Sequence, residues 1–315
     1  MNDLIIIGGG PAGVAGAVYA ARKQLRTVLI TEEFGGQSSV SEGIENWVGT
    51  INISGADLAK SFKAHVEALK SDVVTVMEGV RVEALTGGEQ GFTATTTDGA
   101  TVTAKAVLIA SGAARKRLEV PGADAFEHKG VTYCASCDGP VFSGMDVAVV
   151  GGGNAGFESA LQLLAYCSSV TLIHRRDDFK ADPVTVSRAL AHPNMRVLTD
   201  TEPVRVDGEK FVTGLTVRNR LTGEETTLPV AGVFVEIGVI PNTGFVKELV
   251  ALDPVGHIVT NPRDQKVYAP EAEAVTLEGI WAAGDVTDEL YHQNNIAAGD
   301  AVKALEDIYL WLKTH

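Results

Sequence analysis

The chain has 315 residues, and 26 lysines and arginines stand against 40 aspartates and glutamates, which gives a formal charge of −14 with neutral histidines. Hydrophobic residues make up 45% of the sequence and charged residues 21%. This ordinary globular composition excludes disordered, collagen-like and disulfide-scaffold proteins. The length suggests about two domains, and the acidic balance argues against nucleic-acid binding, which depends on clustered lysine and arginine.

An uncharged stretch from Leu4 to Ala21 approaches the length of a membrane-spanning helix, ~20 residues. Glycines at positions 8 to 10 and Pro11 interrupt it, and no basic segment precedes it. Three cysteines are too few for a disulfide framework and suit a reducing compartment. The sequence therefore predicts a soluble cytoplasmic protein.

An internal repeat organises the chain. The segment from Ile5 to Ile30 and the segment from Ala148 to Ile173 share one glycine pattern at a constant offset. The repeated glycines are Gly8, Gly10 and Gly13 in the first copy and Gly151, Gly153 and Gly156 in the second. Each copy runs from a β-rich apolar segment through the glycines and a helical stretch to a second β-rich segment, which is the order of a βαβ unit.

The spacing Gly-x-Gly-x-x-Gly between strand and helix is typical of a dinucleotide site. The first glycine permits the tight turn, the second lets a pyrophosphate approach the backbone, and the third lets the helix pack on the strand. The helix N-terminus offers free N–H groups to the phosphates. One such motif is weak evidence, but two in the same context predict an α/β protein with two Rossmann-like dinucleotide-binding domains.

The residue after the second strand of such a unit contacts the adenosine ribose, where an acid suits NAD or FAD and a basic residue suits a 2′-phosphate. In the second copy this strand runs into His174, Arg175 and Arg176, with Lys180 close behind. These residues favour NADPH over NADH, although a solvated basic turn has the same composition. The predicted NADPH contacts are Gly151, Gly153, Asn154, Ala155, Gly156, His174, Arg175, Arg176 and Lys180.

In the first copy Thr31 and Glu32 follow the strand and no basic cluster stands there, which favours FAD. Two further apolar strands support a flavin. One ends at Ala110-Ser111-Gly112, and the other ends at Gly284-Asp285, where the carboxylate can bond a ribityl hydroxyl. Taken alone, a Gly-Asp pair is more often a turn.

The segment Cys134-Ala135-Ser136-Cys137 is a Cys-x-x-Cys motif ahead of the second glycine loop. A zinc site would need a second cysteine pair, and only Cys167 and scattered histidines remain, so no metal site is predicted. The motif instead predicts a redox-active dithiol. Asp138 follows directly and is either an acid/base for the thiols or a turn residue. Cys167 lies on a predicted helix and is expected to be a buried structural thiol.

With these motifs in place, the chain resembles the low-molecular-weight thioredoxin reductase family from end to end. The motifs that carry the resemblance are GGGPAG from Gly8, GGQ from Gly35, ENW from Glu45, CASCDG from Cys134, GGGNAG from Gly151, HRR from His174 and AAGDV from Ala282. The resemblance implies three-layer domains of the pyridine nucleotide-disulfide oxidoreductase type. It also implies a homodimer and an FAD-binding domain, residues 1–114 and 246–315, split around an NADPH-binding domain, residues 115–245, that carries the dithiol.

Together with the resemblance, the first copy predicts a full set of FAD contacts. These are Gly8, Gly10, Pro11, Ala12, Gly13, Thr31, Glu32, Gly36, Gln37, Asn46, Ala110, Ser111, Gly112, Gly284, Asp285, His292, Gln293 and Asn294. Two departures from the family pattern are mild, since Ser136 replaces a threonine and Lys180 an arginine. The third is larger, because the run from Tyr291 to Asn294 replaces an Arg-Gln-Ala near the flavin, and a histidine there would alter the field at the isoalloxazine.

The chain also resembles, in part, the flavoprotein subunit of alkyl hydroperoxide reductase. That family carries an extra N-terminal thioredoxin-like region and lacks the His-Arg-Arg cluster, and both differences favour the first resemblance. The implied reaction passes electrons from NADPH through FAD and the dithiol to the disulfide of thioredoxin or a thioredoxin-like protein. Cys137 would be the flavin-side sulfur, Cys134 would attack the partner, and Asp138 would be the acid/base.

Two alternatives remain at the level of sequence. The first is a reductase of the same fold with another donor or acceptor, either fed by ferredoxin or linked to a peroxiredoxin. The second is a redox sensor that binds both nucleotides and does not turn over. The intact Cys-x-x-Cys counts against a sensor, which would not need a dithiol in that relay position.

Overall fold

A computed structural model describes residues 1–41, 44–70, 73–88, 91–270 and 275–315. The chain forms two compact units: Met1–Ala114 with Ile240–His315, and Arg115–Val239. The sequence-based boundary placed the return to the first unit at residue 246, six residues later. The difference has a structural cause, because Asn242 Nδ2 donates to the Ser111 carbonyl (2.9 Å) and Leu85 N donates to the Phe245 carbonyl (3.1 Å), both within the first unit.

The helices and strands are numbered in chain order. The strands are β1 (Asn2–Gly9), β2 (Thr27–Phe34), β3 (Val74–Glu78), β4 (Val82–Gly88), β5 (Gly91–Thr96), β6 (Thr101–Ile109), β7 (Ala113–Arg115), β8 (Val131–Thr132), β9 (Asp146–Val150), β10 (Ser169–Ile173), β11 (Met195–Leu198), β12 (Thr201–Gly208), β13 (Val212–Asn219), β14 (Glu225–Leu228), β15 (Gly232–Val235), β16 (Val239–Pro241), β17 (Lys266–Tyr268) and β18 (Thr276–Ala282). The helices are α1 (Pro11–Arg22), α2 (Gly55–Glu67), α3 (Ala135–Asp138), α4 (Asn154–Leu163), α5 (Pro183–Leu190) and α6 (Asn294–Thr314). Short 3₁₀ turns occupy Gly36–Val40, Asp124–Phe126 and Gly139–Phe142.

The sheet of the first unit has the strand order β17-β18-β6-β1-β2-β3. β1 is central, since it pairs in parallel with β2 and with β6. The β4–β5 hairpin continues from β6 in antiparallel fashion. Because parallel strands share one direction, the carboxyl ends of β1, β2, β6 and β18 meet at one edge, where a ligand of an open α/β sheet binds.

The sheet of the second unit repeats this arrangement in the order β11-β10-β9-β15-β8, with parallel pairing throughout. β9 and β10 correspond to β1 and β2, and β15 takes the place of β6. An antiparallel sheet of β12, β13 and β14 belongs to the same unit. β7 pairs with β16, and these two segments carry the chain between the units.

The side chains of the central strands alternate between two buried faces, as the two-residue period of a strand requires. Leu4 and Ile6 of β1 pack in one cluster with residues of α1, α2 and α6. Ile5 and Ile7 pack in another cluster with β4, β5 and the segment from Val246 to Ile258. In the second unit the side chains of β9 likewise alternate between two clusters. One contains residues of the helices α3 to α5, and the other contains residues of the sheet of β12 to β14. Each unit therefore has three layers.

The helix starts are of two kinds. Ser54 Oγ accepts from Asp57 N (3.1 Å) at α2, and Asp182 Oδ2 accepts from Thr185 N (3.0 Å) at α5, so these helices carry side-chain caps. α1 and α4 begin instead after Gly10 and Gly153, which have no side chain to cap them. The N–H groups at the start of α1 and α4 therefore have no side-chain acceptor at the N-cap. A bound anion could accept their hydrogen bonds instead.

In the part of the chain that the structure describes, no helix has both the length and the apolar character to cross a bilayer. The uncharged stretch from Leu4 to Ala21 is divided between β1 and α1.

Candidate functional site

The first glycine loop has the backbone geometry that its sequence predicts. Gly8 has φ +117°, and a Cβ there would lie 2.2 Å from the Ala110 carbonyl oxygen. A Cβ on Gly13 would lie 1.8 Å from the Gly8 carbonyl oxygen, so α1 packs on β1 at a distance that only glycine permits. Gly10 has no atom within 4 Å of its Cβ position and faces open space. The outer glycines shape the loop, and the middle one leaves room for a ligand.

A cavity of about 540 Å³ lies against this loop, and all the residues that line it belong to the first unit. The predicted FAD contacts on its lining are Gly8, Gly10, Pro11, Ala12, Thr31, Glu32, Gly36, Gln37, Ala110, Ser111, Gly112, Gly284, Asp285 and Asn294. The cavity extends from the ends of β2 and β3 past the glycines to the ends of β6 and β18. An elongated dinucleotide with its pyrophosphate at α1 fits this course.

Four predicted FAD contacts are not on the lining. Gly13 packs against the Gly8 backbone, as described above. Asn46 Nδ2 donates to Gln293 Oε1 (3.2 Å), so these two residues contact each other and link the loop before α2 to the start of α6. The His292 ring lies 5.7 Å from the His257 ring, whose Nδ1 is 3.0 Å from Asp253 Oδ2.

Sequence reasoning missed part of the cavity. The residues concerned are Ile7, Gly9, Ile30, Glu33, Ser38, Val80, Arg81, Val82, Glu83, Thr97, Ala113, Asn242, Gly244, Phe245, Ala283 and Ala297. Glu33, Ser38 and Ala283 adjoin residues that the motifs singled out, so a wider window would have found them. The segment from Val80 to Glu83 follows β3 and carries no motif, and only the pairing of β3 with β2 brings it to the cavity.

Acidic residues at the end of β2 distinguish the first copy. Thr31 is buried, and its Oγ1 donates to the Glu33 carbonyl (2.6 Å). Glu32 is exposed, and its carboxylate lies 3.5 Å from Arg81 Nε. Glu32 and Glu33 both line the cavity, where an acid could bond a ribose hydroxyl.

The second glycine loop repeats the first in detail. Gly151 has φ +128°, and a Cβ there would lie 2.1 Å from the Glu236 carbonyl oxygen. A Cβ on Gly156 would lie 1.9 Å from the Gly151 carbonyl oxygen, while Gly153 again faces open space. Of the other predicted contacts at this loop, Asn154 and Ala155 form the exposed first turn of α4. The side-chain carbonyl oxygen of Asn154 accepts from Asp182 N (2.7 Å) and so fixes the start of α5.

A basic loop follows β10. The His174 ring packs against Gly152, since a Cβ on that glycine would lie 2.6 Å from the ring, and His174 Nε2 is 2.9 Å from the Asp178 carbonyl. Arg220 Nη1 donates to the Arg175 carbonyl (2.7 Å) and so holds the backbone of the loop. Among the described residues, the exposed side chains of Arg175, Arg176 and Lys180 make no hydrogen bond or ion pair, so their charges are available to an anion.

Cys134 and Cys137 form a disulfide in the second unit, at the two ends of the first turn of α3. Both cysteines are half-buried. Cys137 N donates to Cys134 Sγ (3.2 Å), and Ser136 Oγ donates to Gln162 Oε1 of α4 (2.9 Å). A backbone N–H that points at a sulfur stabilises negative charge on it once the disulfide opens. The geometry therefore favours Cys134 as the thiolate that is left to react.

Asp138 is held beside the disulfide. Thr132 Oγ1 donates to Asp138 Oδ2, and Asp138 N donates to the Cys134 carbonyl (3.0 Å). Thr132 Oγ1 also accepts from Cys134 N at 3.4 Å, so one hydroxyl touches both the carboxyl and the cysteine backbone. Sequence reasoning did not find Thr132, which lies on the two-residue strand β8 and has no motif of its own.

Cys167 lies in the bend between α4 and β10, four residues beyond the end of the helix on which the sequence analysis placed it, and only 6% of its surface is exposed. Burial raises the pKa of its thiol to about 11, and the charge of Asp146 adds to the effect. A thiol with that pKa is largely protonated near neutrality and reacts poorly. Within the described ranges, no group of three or more histidine, cysteine or acidic side chains is arranged to hold a metal ion.

Comparison with known proteins assigns the family. The model of the pyridine nucleotide-disulphide oxidoreductases matches residues 2–301. The chain belongs to this family. The predicted fold class is thereby confirmed, and the similar proteins described next confirm both family resemblances.

Three similar proteins refine this assignment. One of the subunits of the alkyl hydroperoxide reductase of Pseudomonas putida is 39% identical over 306 residues, which cover 96% of this chain and 56% of that protein. The bifunctional thioredoxin reductase/thioredoxin of Mycobacterium leprae is 38% identical over 318 residues, which cover 100% of this chain and 67% of that protein. The crystal structure of thioredoxin reductase from Streptococcus pyogenes MGAS5005 has 34% identity and a TM-score of 0.86, and the match covers 100% of this chain and 99% of that one.

These matches give the chain a thioredoxin reductase-like fold. The chain nevertheless spans little more than half the length of several relatives that it matches, including 56% of the alkyl hydroperoxide reductase protein.

Proposed function

We propose that the chain is an NADPH-dependent thioredoxin-disulfide reductase. Electrons pass from NADPH through FAD and the Cys134–Cys137 pair to the disulfide of thioredoxin or a thioredoxin-like protein. One observation carries the proposal: two dinucleotide loops with the same backbone geometry lie in separate units of one chain, and a half-buried disulfide accompanies the second.

The cavity of the first unit is the proposed FAD site. The N-terminus of α1 would hold the pyrophosphate next to Gly10, Glu32 would bond the adenosine ribose, and Asp285 would bond a ribityl hydroxyl. Bound there, the flavin supplies two-electron transfer between a nicotinamide and a disulfide. Gln37, in the 3₁₀ turn after β2, and Asn294, at the start of α6, also line the cavity and would orient the ring system.

The second glycine loop is the proposed NADPH site. The N-terminus of α4 would hold the pyrophosphate next to Gly153. The exposed cations of the basic loop would bind the 2′-phosphate, with Arg175 and Arg176 able to make paired charge-assisted hydrogen bonds and Lys180 contributing a point charge. His174 would close the loop through its packing on Gly152.

The chemistry of the dithiol follows from its geometry. Two electrons and two protons convert the Cys134–Cys137 disulfide to a dithiol. The Cys134 thiolate then attacks the partner's disulfide, which forms a mixed disulfide and expels one partner thiolate. Cys137 next attacks the Cys134 sulfur, which restores the internal disulfide and releases the second partner thiolate. The N–H of Cys137 favours this division of roles, because it stabilises negative charge on Cys134.

Asp138 is the proposed acid/base for these transfers. Its contact with Thr132 fixes the carboxyl next to the cysteine turn, which is the requirement for protonating a departing thiolate. The proposed assembly is a homodimer, as the family resemblance implies, and the small number of cysteines supports a cytoplasmic location.

A peroxiredoxin-linked reductase is the second candidate. The identity of 39% to an alkyl hydroperoxide reductase protein supports it, whereas the basic loop after β10 supports NADPH and the first candidate. Steady-state reduction of thioredoxin and of a peroxiredoxin-linked acceptor, each with NADPH and with NADH, separates the two. A ferredoxin-fed reductase would respond to neither nucleotide, and a sensor would not complete multiple turnovers.

An anaerobic titration with NADPH tests the electron path itself. We expect the purified chain to be yellow and to take up about two equivalents of NADPH, one for the flavin and one for the disulfide. The Cys137→Ser variant should take up about one equivalent and lose thioredoxin reduction. Cys167→Ser serves as the matched control and should behave as wild type. A colourless chain that binds no flavin, or a Cys137→Ser variant that reduces thioredoxin at the normal rate, would refute the proposal.

A further inference from the structure

The internal repeat allows each position of the second site to be compared with its counterpart in the first. The residue after β6 is Ala110, and the residue after β15 is Glu236. Their carbonyl oxygens occupy equivalent places in the two copies. A Cβ on Gly8 would lie 2.2 Å from the Ala110 carbonyl oxygen, and a Cβ on Gly151 would lie 2.1 Å from the Glu236 carbonyl oxygen. The first site therefore has a methyl group where the second has a carboxyl group.

The residue that contacts Glu236 also differs between the two copies. Ser159 of α4 stands at the repeat position of Gly16 in α1, and a Cβ on Gly16 would lie 2.7 Å from Leu108 Cδ2. Ser159 Oγ donates to Glu236 Oε1 at 2.7 Å. The first copy thus closes this place with apolar packing, whereas the second copy builds a hydrogen-bonded acidic side chain into it.

One carboxyl oxygen of Glu236 remains available. Among the residues that the structure describes, Glu236 Oε2 has no hydrogen-bond or ion-pair partner. Burial raises the pKa of Glu236, and the hydrogen bond from Ser159 and the charge of Arg115 oppose the shift. A fixed, half-buried carboxyl with one spare oxygen suits a neutral donor such as a hydroxyl or an amide, and it repels a phosphate.

The first cavity indicates which half of a nucleotide meets this position. That cavity passes from the β2 end, where the adenosine belongs, past the glycines to Ala110 and the β6 end. A nucleotide bound in the same direction at the second loop would have its adenosine at the basic loop after β10. Its nicotinamide half would then lie near the end of β15. We infer that Glu236, held by Ser159, binds the nicotinamide riboside half of the nucleotide through a ribose hydroxyl or the carboxamide. This inference rests on the proposed NADPH site.

Two ligands that differ in the nicotinamide half test the inference. Calorimetric titration of the oxidised holoenzyme would measure the dissociation constants of NADP⁺ and of adenosine 2′,5′-bisphosphate, which lacks nicotinamide. We expect Glu236→Ala to weaken NADP⁺ binding roughly tenfold and to leave the bisphosphate within about twofold of wild type. Glu236→Gln, which keeps an oxygen acceptor, should restore NADP⁺ binding to within about threefold of wild type.

Two further variants keep the test decisive. Ser159→Ala frees the carboxyl without deleting it and should weaken NADP⁺ binding by a smaller factor, again without effect on the bisphosphate. Glu209→Ala removes an exposed carboxyl between β12 and β13 of the same unit and should bind both ligands as wild type does. If Glu236→Ala binds both ligands as wild type does, or loses both equally, the role of Glu236 is wrong while the NADPH site stands. If the wild type binds neither ligand, the proposed NADPH site fails, and the inference fails with it.

Discussion

The two glycine loops of this chain are nearly the same backbone structure placed in two different surroundings. The first glycines, Gly8 and Gly151, have φ +117° and +128°. A Cβ on the third glycines, Gly13 and Gly156, would lie 1.8 Å and 1.9 Å from a backbone carbonyl oxygen. Both helices begin at an uncapped glycine in extended conformation. Steric exclusion leaves so little freedom at these positions that two distant segments of the chain share one solution.

The surroundings differ at the ends of the neighbouring strands. Thr31 and Glu32 lie in the second half of β2 in the first copy, whereas His174 and the two arginines after it follow β10 in the second. The next strand in the sheet is followed by Ala110 in the first copy and by Glu236 in the second. In the proposed function, each glycine loop holds a pyrophosphate, and the residues at the ends of the neighbouring strands decide which nucleotide binds.

The largest effect should come from the glycines that shape the loops. Gly13→Ala and Gly156→Ala force a methyl into a backbone carbonyl, and we expect each to destabilise its own unit by about 1–3 kcal/mol or more. Gly13→Ala should lose flavin, and Gly156→Ala should keep flavin and lose NADPH. Thermal unfolding, flavin absorbance and NADPH titration would measure these outcomes.

The matched controls lie within the same loops. Gly10→Ala and Gly153→Ala add a methyl that points into open space, so they should unfold at nearly the wild-type temperature and weaken only the ligand of their own loop. Equal thermal destabilisation by all four variants would contradict the division of roles among the glycines.

The next effect concerns the dithiol, which has no counterpart in the first copy. Asp138→Asn keeps the shape of the side chain and removes its acid/base function. We expect thioredoxin turnover to fall by about 10²-fold while NADPH still reduces the flavin at the wild-type rate. Stopped-flow absorbance and a thioredoxin-coupled assay would separate the two half-reactions. Asp124→Asn changes an exposed aspartate of the same unit and is the control. If NADPH reduces the flavin slowly in Asp138→Asn, the role of Asp138 as acid/base for the dithiol is contradicted.

A smaller effect sharpens the contrast between the strand ends. Arg175→Ala removes one charge-assisted contact to a 2′-phosphate, so kcat/KM for NADPH should fall about 10- to 100-fold. NADH lacks that phosphate, and its kcat/KM should be nearly unchanged. Arg188→Ala, an exposed arginine on α5, should change neither value. A parallel loss with both nucleotides would show that the basic loop does not read the phosphate.

The smallest effect concerns Cys167, whose burial raises its pKa from about 9 to about 11. Below pH 9 the thiol is protonated in both folded and unfolded chains. Between pH 9 and 11 the unfolded thiol ionises first, so the free energy of unfolding should fall as pH rises, and Cys167→Ser should remove this contribution. In thiol labelling of the reduced native chain at pH 8, Cys134 and Cys137 should react quickly and Cys167 slowly until the chain is denatured. Rapid labelling of Cys167 would contradict its burial.

Sequence reasoning found the parts of the site that local motifs encode. The glycines of both loops, the Cys-x-x-Cys and the strand ending at Gly284 and Asp285 all carry their meaning within a few residues. It extended the FAD contacts to Asn46 and Gln293, which contact each other and do not line the cavity. It missed Thr132 and Glu236 because their partners, Asp138 and Ser159, become visible only when the chain is folded. The contacts of Asn242 and Phe245 within the first unit are not local, so no short pattern of residues marks where the chain returns to that unit.

By itself the sequence determined the two βαβ units, their glycine loops, the basic and acidic strand ends and the dithiol, since each depends on steric or chemical properties of neighbouring residues. The tertiary structure decided which distant segments complete these sites. Strand order brought the segment after β3 to the first cavity, and it placed Glu236 beside the second glycine loop. The physical reason is that pairing between strands depends on contacts far apart in the chain, which no short pattern of residues records.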